Sequence, residues 1–261
     1  MQSLSQSSSQ PPGQTAVKIR VSNLSFSYNG REILRNTSVE FPEHAITAIV
    51  GPSGSGKSTF LMTLNRLWEE LPRCAMRGRV EMVLSGAPQD IYAPDCVVET
   101  LRRRVGMVFQ MPNPLPMSIF KNVAFPLQLA GEKDKDKIRA RVEETLRDVG
   151  LWDEVSDRLA ESALSLSGGQ QQRLCMARAM ILRPEVLLLD EPASALDQKA
   201  AEAIEELLVR WKQHCTILVV SHYLDQVKRI ADRVVELRDG QLQLSPRSQG
   251  WNKQHNSGKS S

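Results

Sequence analysis

Residues that bind metals or form disulfides are scarce, with four cysteines and four histidines in 261 residues. Cys74, Cys96, Cys175 and Cys215 lie far apart with no C-x-x-C pair, and His44, His214, His222 and His255 do not cluster. This argues against a disulfide framework or a metal-stapled fold and reads as reduced thiols in a cytosolic protein. Long apolar runs are missing too. The longest, "AITAIV" and "TILVV", are strand-sized, far short of the ~20 residues a membrane helix needs. The start, "MQSLSQSSSQPPGQ", has no apolar stretch of secretory type. Any membrane role therefore has to come through a partner. Charge of one sign is nearly absent: 33 basic against 30 acidic residues leave +3, no case for nucleic-acid binding. No repeat of fixed period is visible.

What is present is ordinary for a globular chain, 41% apolar and 24% charged. Residues 1–15 are Ser/Gln/Pro-rich and 245–261 are similarly biased, so both ends are expected to be disordered around one compact region, 16–244. "VKIRVSNLSFSY" alternates like an edge or antiparallel strand, whereas "AITAIV", "VGMVFQ", "EVLLLD" and "TILVVSH" are short apolar runs of buried-strand type. Helical spacing appears in "FLMTLNRLWEEL", in the run after "SGGQ" and in "QKAAEAIEELLVRWKQH". Between about 111 and 166 a proline-rich turn leads into helix-forming sequence. There Ile138, Val142, Leu146 and Val149 fall on one helix face. The expectation is an α/β fold with a mainly parallel sheet, an antiparallel β part and an inserted helical subdomain.

"GPSGSGKST", comprising Gly51, Pro52, Ser53, Gly54, Ser55, Gly56, Lys57, Ser58 and Thr59, fits the phosphate-cradling loop G-x-x-x-x-G-K-[ST] between a strand and a helix. Its backbone N–H groups suit a β-phosphate, the Lys57 ammonium the β- and γ-phosphates, and the Ser58 hydroxyl Mg²⁺. "VLLLDEP" delivers Asp190 to the end of a buried strand, where it can hold Mg²⁺ directly or through water. Glu191 is then a candidate general base for the attacking water, unless the pair is only a solvated strand end. His222 either packs as an ordinary side chain or reaches the γ-phosphate. Gln110 can touch Mg²⁺ or the lytic water and sense movement of the insertion.

A second anion-binding helix start stands at Ser167, Gly168, Gly169 and Gln170 in "LSLSGGQQQR". Placed on the other subdomain, it serves best if it reaches the nucleotide of a second copy. Two chains head to tail would then bury two ATP molecules.

Taken in order, "GPSGSGKST", the glutamine of "VFQ", "LSGGQ", "LLLDEP", "SALD" and the histidine of "VVSH" resemble the ABC-type ATPases, over roughly residues 17 to 242. The resemblance implies a P-loop NTPase core, an ATPase with ATP and Mg²⁺ as cofactors, and a homodimer. It implies that Tyr28 stacks on adenine, though it also reads as a plain strand tyrosine. Ser167 and Gly169 would contact the partner's γ-phosphate, and Asp197 would link the two sites as well as cap the helix that follows. "MVFQMPNPLPMSIFKNVAF" and "LWDEVSDRL" further resemble the ATPase subunits of bacterial inorganic-phosphate importers. That implies two membrane permease subunits, a phosphate-binding protein outside the membrane, and a peripheral place on the cytoplasmic face of the cell (inner) membrane. Other cargoes, phosphonate or an amino acid, stay open at this point, as does a non-transport ABC ATPase. Ala193 departs from the usual threonine after "DEP" and is expected to tune hydrolysis without abolishing it. The tail after "LRDGQLQL" lacks the further segment usual in phosphate-importing members.

Overall fold

The computed structural model describes residues 16–194 and 196–245, so residues 1–15 and 246–261 of the low-complexity ends lie outside the described residues. The chain opens with a hairpin, β1 (Val17–Tyr28) and β2 (Arg31–Pro42). Asn29 and Gly30 both have positive φ, 49° and 77°, as a tight two-residue hairpin turn requires. β4 (Cys74–Leu84) pairs with the other side of β1, and β5 (Ala87–Asp90) pairs with β4. The antiparallel order is β2-β1-β4-β5. β1 is thus an antiparallel strand, as its alternation predicts, but an interior one and not an edge.

The second sheet has the order β10-β9-β3-β8-β7-β6. It comprises β3 (Ile46–Val50), β6 (Val105–Val108), β7 (Val186–Asp190), β8 (Thr216–Val220), β9 (Arg233–Arg238) and β10 (Gln241–Leu244). All neighbours run parallel except β10 with β9. β7 and β8 are buried at every position, which is why they read as unbroken apolar runs. Their residues still sort by parity. Leu187, Leu189, Ile217 and Val219 join a core with the helices, while Val186, Leu188, Leu218 and Val220 join a core with the antiparallel sheet.

α1 (Lys57–Leu64) follows β3. It is shorter than "FLMTLNRLWEEL" suggests: Arg66 takes a left-handed φ of 59°, and residues 67–70 form a separate 3₁₀ turn. α2 (Val98–Arg104) leads into β6. Between β6 and β7 lie α3 (Ile119–Leu129), α4 (Lys135–Asp148), α5 (Trp152–Val155) and α6 (Gly168–Met180). Ile138, Val142 and Leu146 of α4 and Val149, which caps its end, are all buried, as their spacing predicts. α7 (Gln198–Trp211) and α8 (Leu224–Ile230) complete the described chain. Among the described residues no helix is long and apolar enough to cross a membrane.

Candidate active site

The loop from β3 to α1 is shaped by two glycines that nothing else can replace. A Cβ on Gly51 (φ 145°) would sit 2.3 Å from the Leu237 carbonyl oxygen, and one on Gly56 (φ 102°) would sit 2.7 Å from Ile33 Cγ2. Gly56 is also the cap residue of α1, and no side chain caps that helix. The N–H groups of its first turn have no partner within the helix and remain available to an anion. Pro52, Ser53, Gly54 and Ser58 are exposed, while Thr59 is half-buried. Lys57 is only 6% exposed, and its Nζ donates to the carbonyls of Gly51 (3.0 Å) and Pro52 (2.9 Å). Burial lowers the pKa of this ammonium, against the opposing pull of Glu191 and Asp190.

Three neighbouring strands parallel to β3, namely β8, β7 and β6, end at the same edge of the sheet as this loop. β7 ends on Asp190, which is 6% exposed with Oδ1 buried and unpartnered among the described residues. Ser55 Oγ is likewise buried without a partner. A buried carboxylate oxygen and a buried hydroxyl left unpaired beside a lysine fit a hard cation and its phosphate ligands. Glu191 follows with a left-handed φ of 48°, and its N–H is tied to Val220 O at 3.0 Å. That kink turns the carboxylate across the sheet ends. Gln110, just beyond β6, donates from Nε2 to Glu191 Oε2 at 3.1 Å. His222, just beyond β8, places Nε2 2.6 Å from Glu191 Oε1. Gln110 and His222 each lie two residues past the last strand residue, where a side chain can turn inward over the sheet edge. Gln110 and His222 thus meet on Glu191, one by a hydrogen bond and the other by a close polar contact, next to Asp190 and Lys57.

The second helix start is built differently. Ser167 caps α6 in a reciprocal box: Gln170 N donates to Ser167 Oγ (3.3 Å) and Ser167 N to Gln170 Oε1 (3.0 Å). Gln170 Nε2 also donates to Glu154 Oε2 at 2.7 Å, and Arg173 pairs with Glu154 Oε1 at 2.7 Å. Burial pushes the Glu154 carboxyl up, but the bonds from Arg173 and Gln170 outweigh it and hold it below the usual carboxylate range. Ser167 and Gly168 are exposed, and a Cβ on Gly168 would meet nothing within 4 Å.

Two residues singled out in the sequence stand apart from the carboxylate cluster. Tyr28 ends β1 with 43% exposure, open enough to offer a ring face. Asp197 caps α7 by accepting from Ala200 N at 2.8 Å. Ala193 is half-buried in the turn after Asp190–Glu191, where its carbonyl accepts from Leu196 N. Sequence reasoning passed over Glu154, although it lies in the quoted "LWDEVSDRL", because only the fold brings α5 beside α6. It also passed over Gln172, Arg178 and Asn122, whose partners are distant in sequence.

The ABC transporter family matches residues 34–194. The phosphate import ATP-binding protein PstB of Bacteroides fragilis is 47% identical over 228 residues, 87% of this chain and 88% of that protein. PstB 2 of Lactiplantibacillus plantarum is 46% identical over 84% of this chain and 86% of its own length. Among solved structures, the dimeric post-hydrolysis state of the ATP-binding cassette MJ0796, bound to ADP and Pi, superposes with a TM-score of 0.72. It is 30% identical and covers 86% of this chain and 96% of its own.

Proposed function

The chain belongs to the ABC transporter family and is an ATPase of it, and we propose that it energises import of inorganic phosphate through a membrane permease. The observation that carries the hydrolytic reading is the Glu191 carboxylate held by Gln110 on one oxygen and His222 on the other, beside the Lys57 loop. In this reading the α1 N–H groups and Lys57 bind the β- and γ-phosphates of ATP. Glu191 orients or deprotonates the attacking water, and His222 steadies the γ-phosphate. Ser58, Asp190 and Gln110 would hold Mg²⁺, which supplies charge neutralisation at the phosphate oxygens. Tyr28 stacks on the adenine.

Two copies are proposed to meet head to tail. Ser167, Gly168, Gly169 and Gln170 of one then close on the nucleotide held by Gly51–Thr59 of the other, with Asp197 near the dimer seam. Exposed Ser167 and Gly168 support this, because a helix start facing outward is placed to serve another molecule. The phosphate cargo is supported by the 46–47% identity to phosphate-import subunits. Cargo would be chosen by a phosphate-binding protein outside the membrane and by two permease subunits, with this chain peripheral on the cytoplasmic face. The compact region 16–244 is proposed as one cassette with residues 111–166 as its helical insertion.

The test is uptake of labelled phosphate at low external concentration in cells lacking other phosphate importers, comparing wild type with Glu191→Gln. Loss of uptake in the variant is expected. Uptake equal to wild type would reassign the cargo.

A further inference from the structure

α6 does more than present its N-terminus. Gln172, two residues beyond Gln170, is fully buried, and its Nε2 donates to the carbonyl of Phe109 at 3.1 Å. Phe109 is the residue immediately before Gln110. On the other side of Gln110, Arg178 from the same helix donates through Nη2 to Asn113 O (3.0 Å) and Asn113 Oδ1 (2.7 Å). Arg178 Nη1 reaches Asn122 Oδ1 at 3.3 Å. Asn122, itself fully buried, donates to the carbonyls of Leu115, Met117 and Ser118. α6 therefore grips the segment carrying Gln110 at both ends, while Gln110 itself reaches Glu191.

Gln172 Oε1 is buried without a hydrogen-bond partner among the described residues. An apolar side chain of similar volume would fill the same space without that unpaired acceptor. The same change takes the donor from the Phe109 carbonyl, so the two effects on stability oppose each other and what is lost outright is the bond to Phe109.

We propose that Gln172, seconded by Arg178, is a positioning residue that links the Ser167–Gln170 helix start to the catalytic carboxylate through Phe109 and Gln110. The proposal rests on the ATPase dimer reading above. In that dimer, α6 serves one nucleotide with its N-terminus and Glu191 serves the other. The link would thus make each chain report the state of one ATP site to its second site. A shift of α6 along its axis pulls on Phe109 and Asn113 together, and so moves Gln110 relative to Glu191.

The test is steady-state ATP turnover by the full chain for wild type, Gln172→Met, Gln110→Ala and the double variant, with thermal unfolding of each. Gln172→Met is expected to lower kcat about tenfold with KM within about twofold. Its unfolding midpoint should stay close to that of wild type, because the removed unpaired acceptor offsets the donor lost by the Phe109 carbonyl. The double variant should turn over no more slowly than Gln110→Ala alone, because both changes act on one link. Unchanged kcat in Gln172→Met, or a double loss equal to the product of the single losses, would overturn the proposal. Should Gln172→Met fail to fold, Arg178→Gln releases the other grip and is read the same way. Wild type with no ATP turnover would instead sink the ATPase reading, and this inference with it.

Discussion

The two helix starts of this protein solve the same problem in opposite ways. At α1 the cap is Gly56, in a left-handed conformation, with no side chain covering the first turn. At α6 the cap is Ser167, whose hydroxyl already accepts from Gln170 N, and the Gln170 side chain returns the bond. The first start is bare, and its loop is pressed against Leu237 at Gly51 and Ile33 at Gly56 so tightly that only glycine fits at those two positions. The second is dressed and outward, with open space around Gly168. A bare start can wrap an anion completely with its own backbone. A capped start keeps fewer N–H groups unoccupied and suits an anion held mainly by something else. The difference explains how one chain can carry two such features: one cradles, the other closes.

The largest expected effect strikes the loop that leads into the first start. Gly51→Ala would push a Cβ into a backbone carbonyl at a φ alanine rarely adopts, so a loss of about 3 kcal/mol or more is expected. Urea unfolding with an ATP-binding titration reads it, and a stable, ATP-binding variant would break the contrast. At the other start, Ser167→Ala should cost about 1 kcal/mol through the lost cap. ATP binding by the single chain should be untouched, but association of two chains should weaken.

Acid should weaken the second start. The lowered Glu154 carboxyl stabilises the folded chain above the ordinary glutamate value of 4.5, and that contribution is lost as pH falls through its folded pKa below 4.5. The gap in melting temperature between wild type and Glu154→Gln should hold from neutral pH down to about 5 and close below 4.5. A gap that instead widened on acidification would contradict the ion pair with Arg173. The smallest effect on folding is expected from Gly168→Ala, within about 1 kcal/mol of wild type, since the added methyl meets nothing. Weakened ATP-driven association in a variant of unchanged stability would locate the outward start at a contact between molecules.

The sequence reveals the cradle, the Asp190–Glu191 strand and the second helix start because each is a local pattern whose residues are neighbours in the chain. The parallel strands β3, β6, β7 and β8 were legible for the same reason, being apolar runs bounded by polar residues. β2, β4 and β5 were not singled out. β2 and β4 pair with β1 through register shifts, and such irregular pairing blurs the alternation a strand is read from. β9 and β10 escaped notice as well, although "RVVELR" is partly apolar. That Gln110 and His222 meet on Glu191 follows only from the order of β6, β7 and β8, which no spacing along the chain encodes. The grip of Gln172 on Phe109 is 63 residues long in sequence, and a glutamine inside a glutamine-rich helix gives no local sign of it.

The contrast between a cradling and a closing start is tested most directly by light scattering on Glu191→Gln, with and without ATP. The expected mass is that of one chain without ATP and of two with it. Adding Ser167→Arg to the same chain should return it to one chain even with ATP. One chain under every condition, or a pair indifferent to Ser167→Arg, would contradict the account.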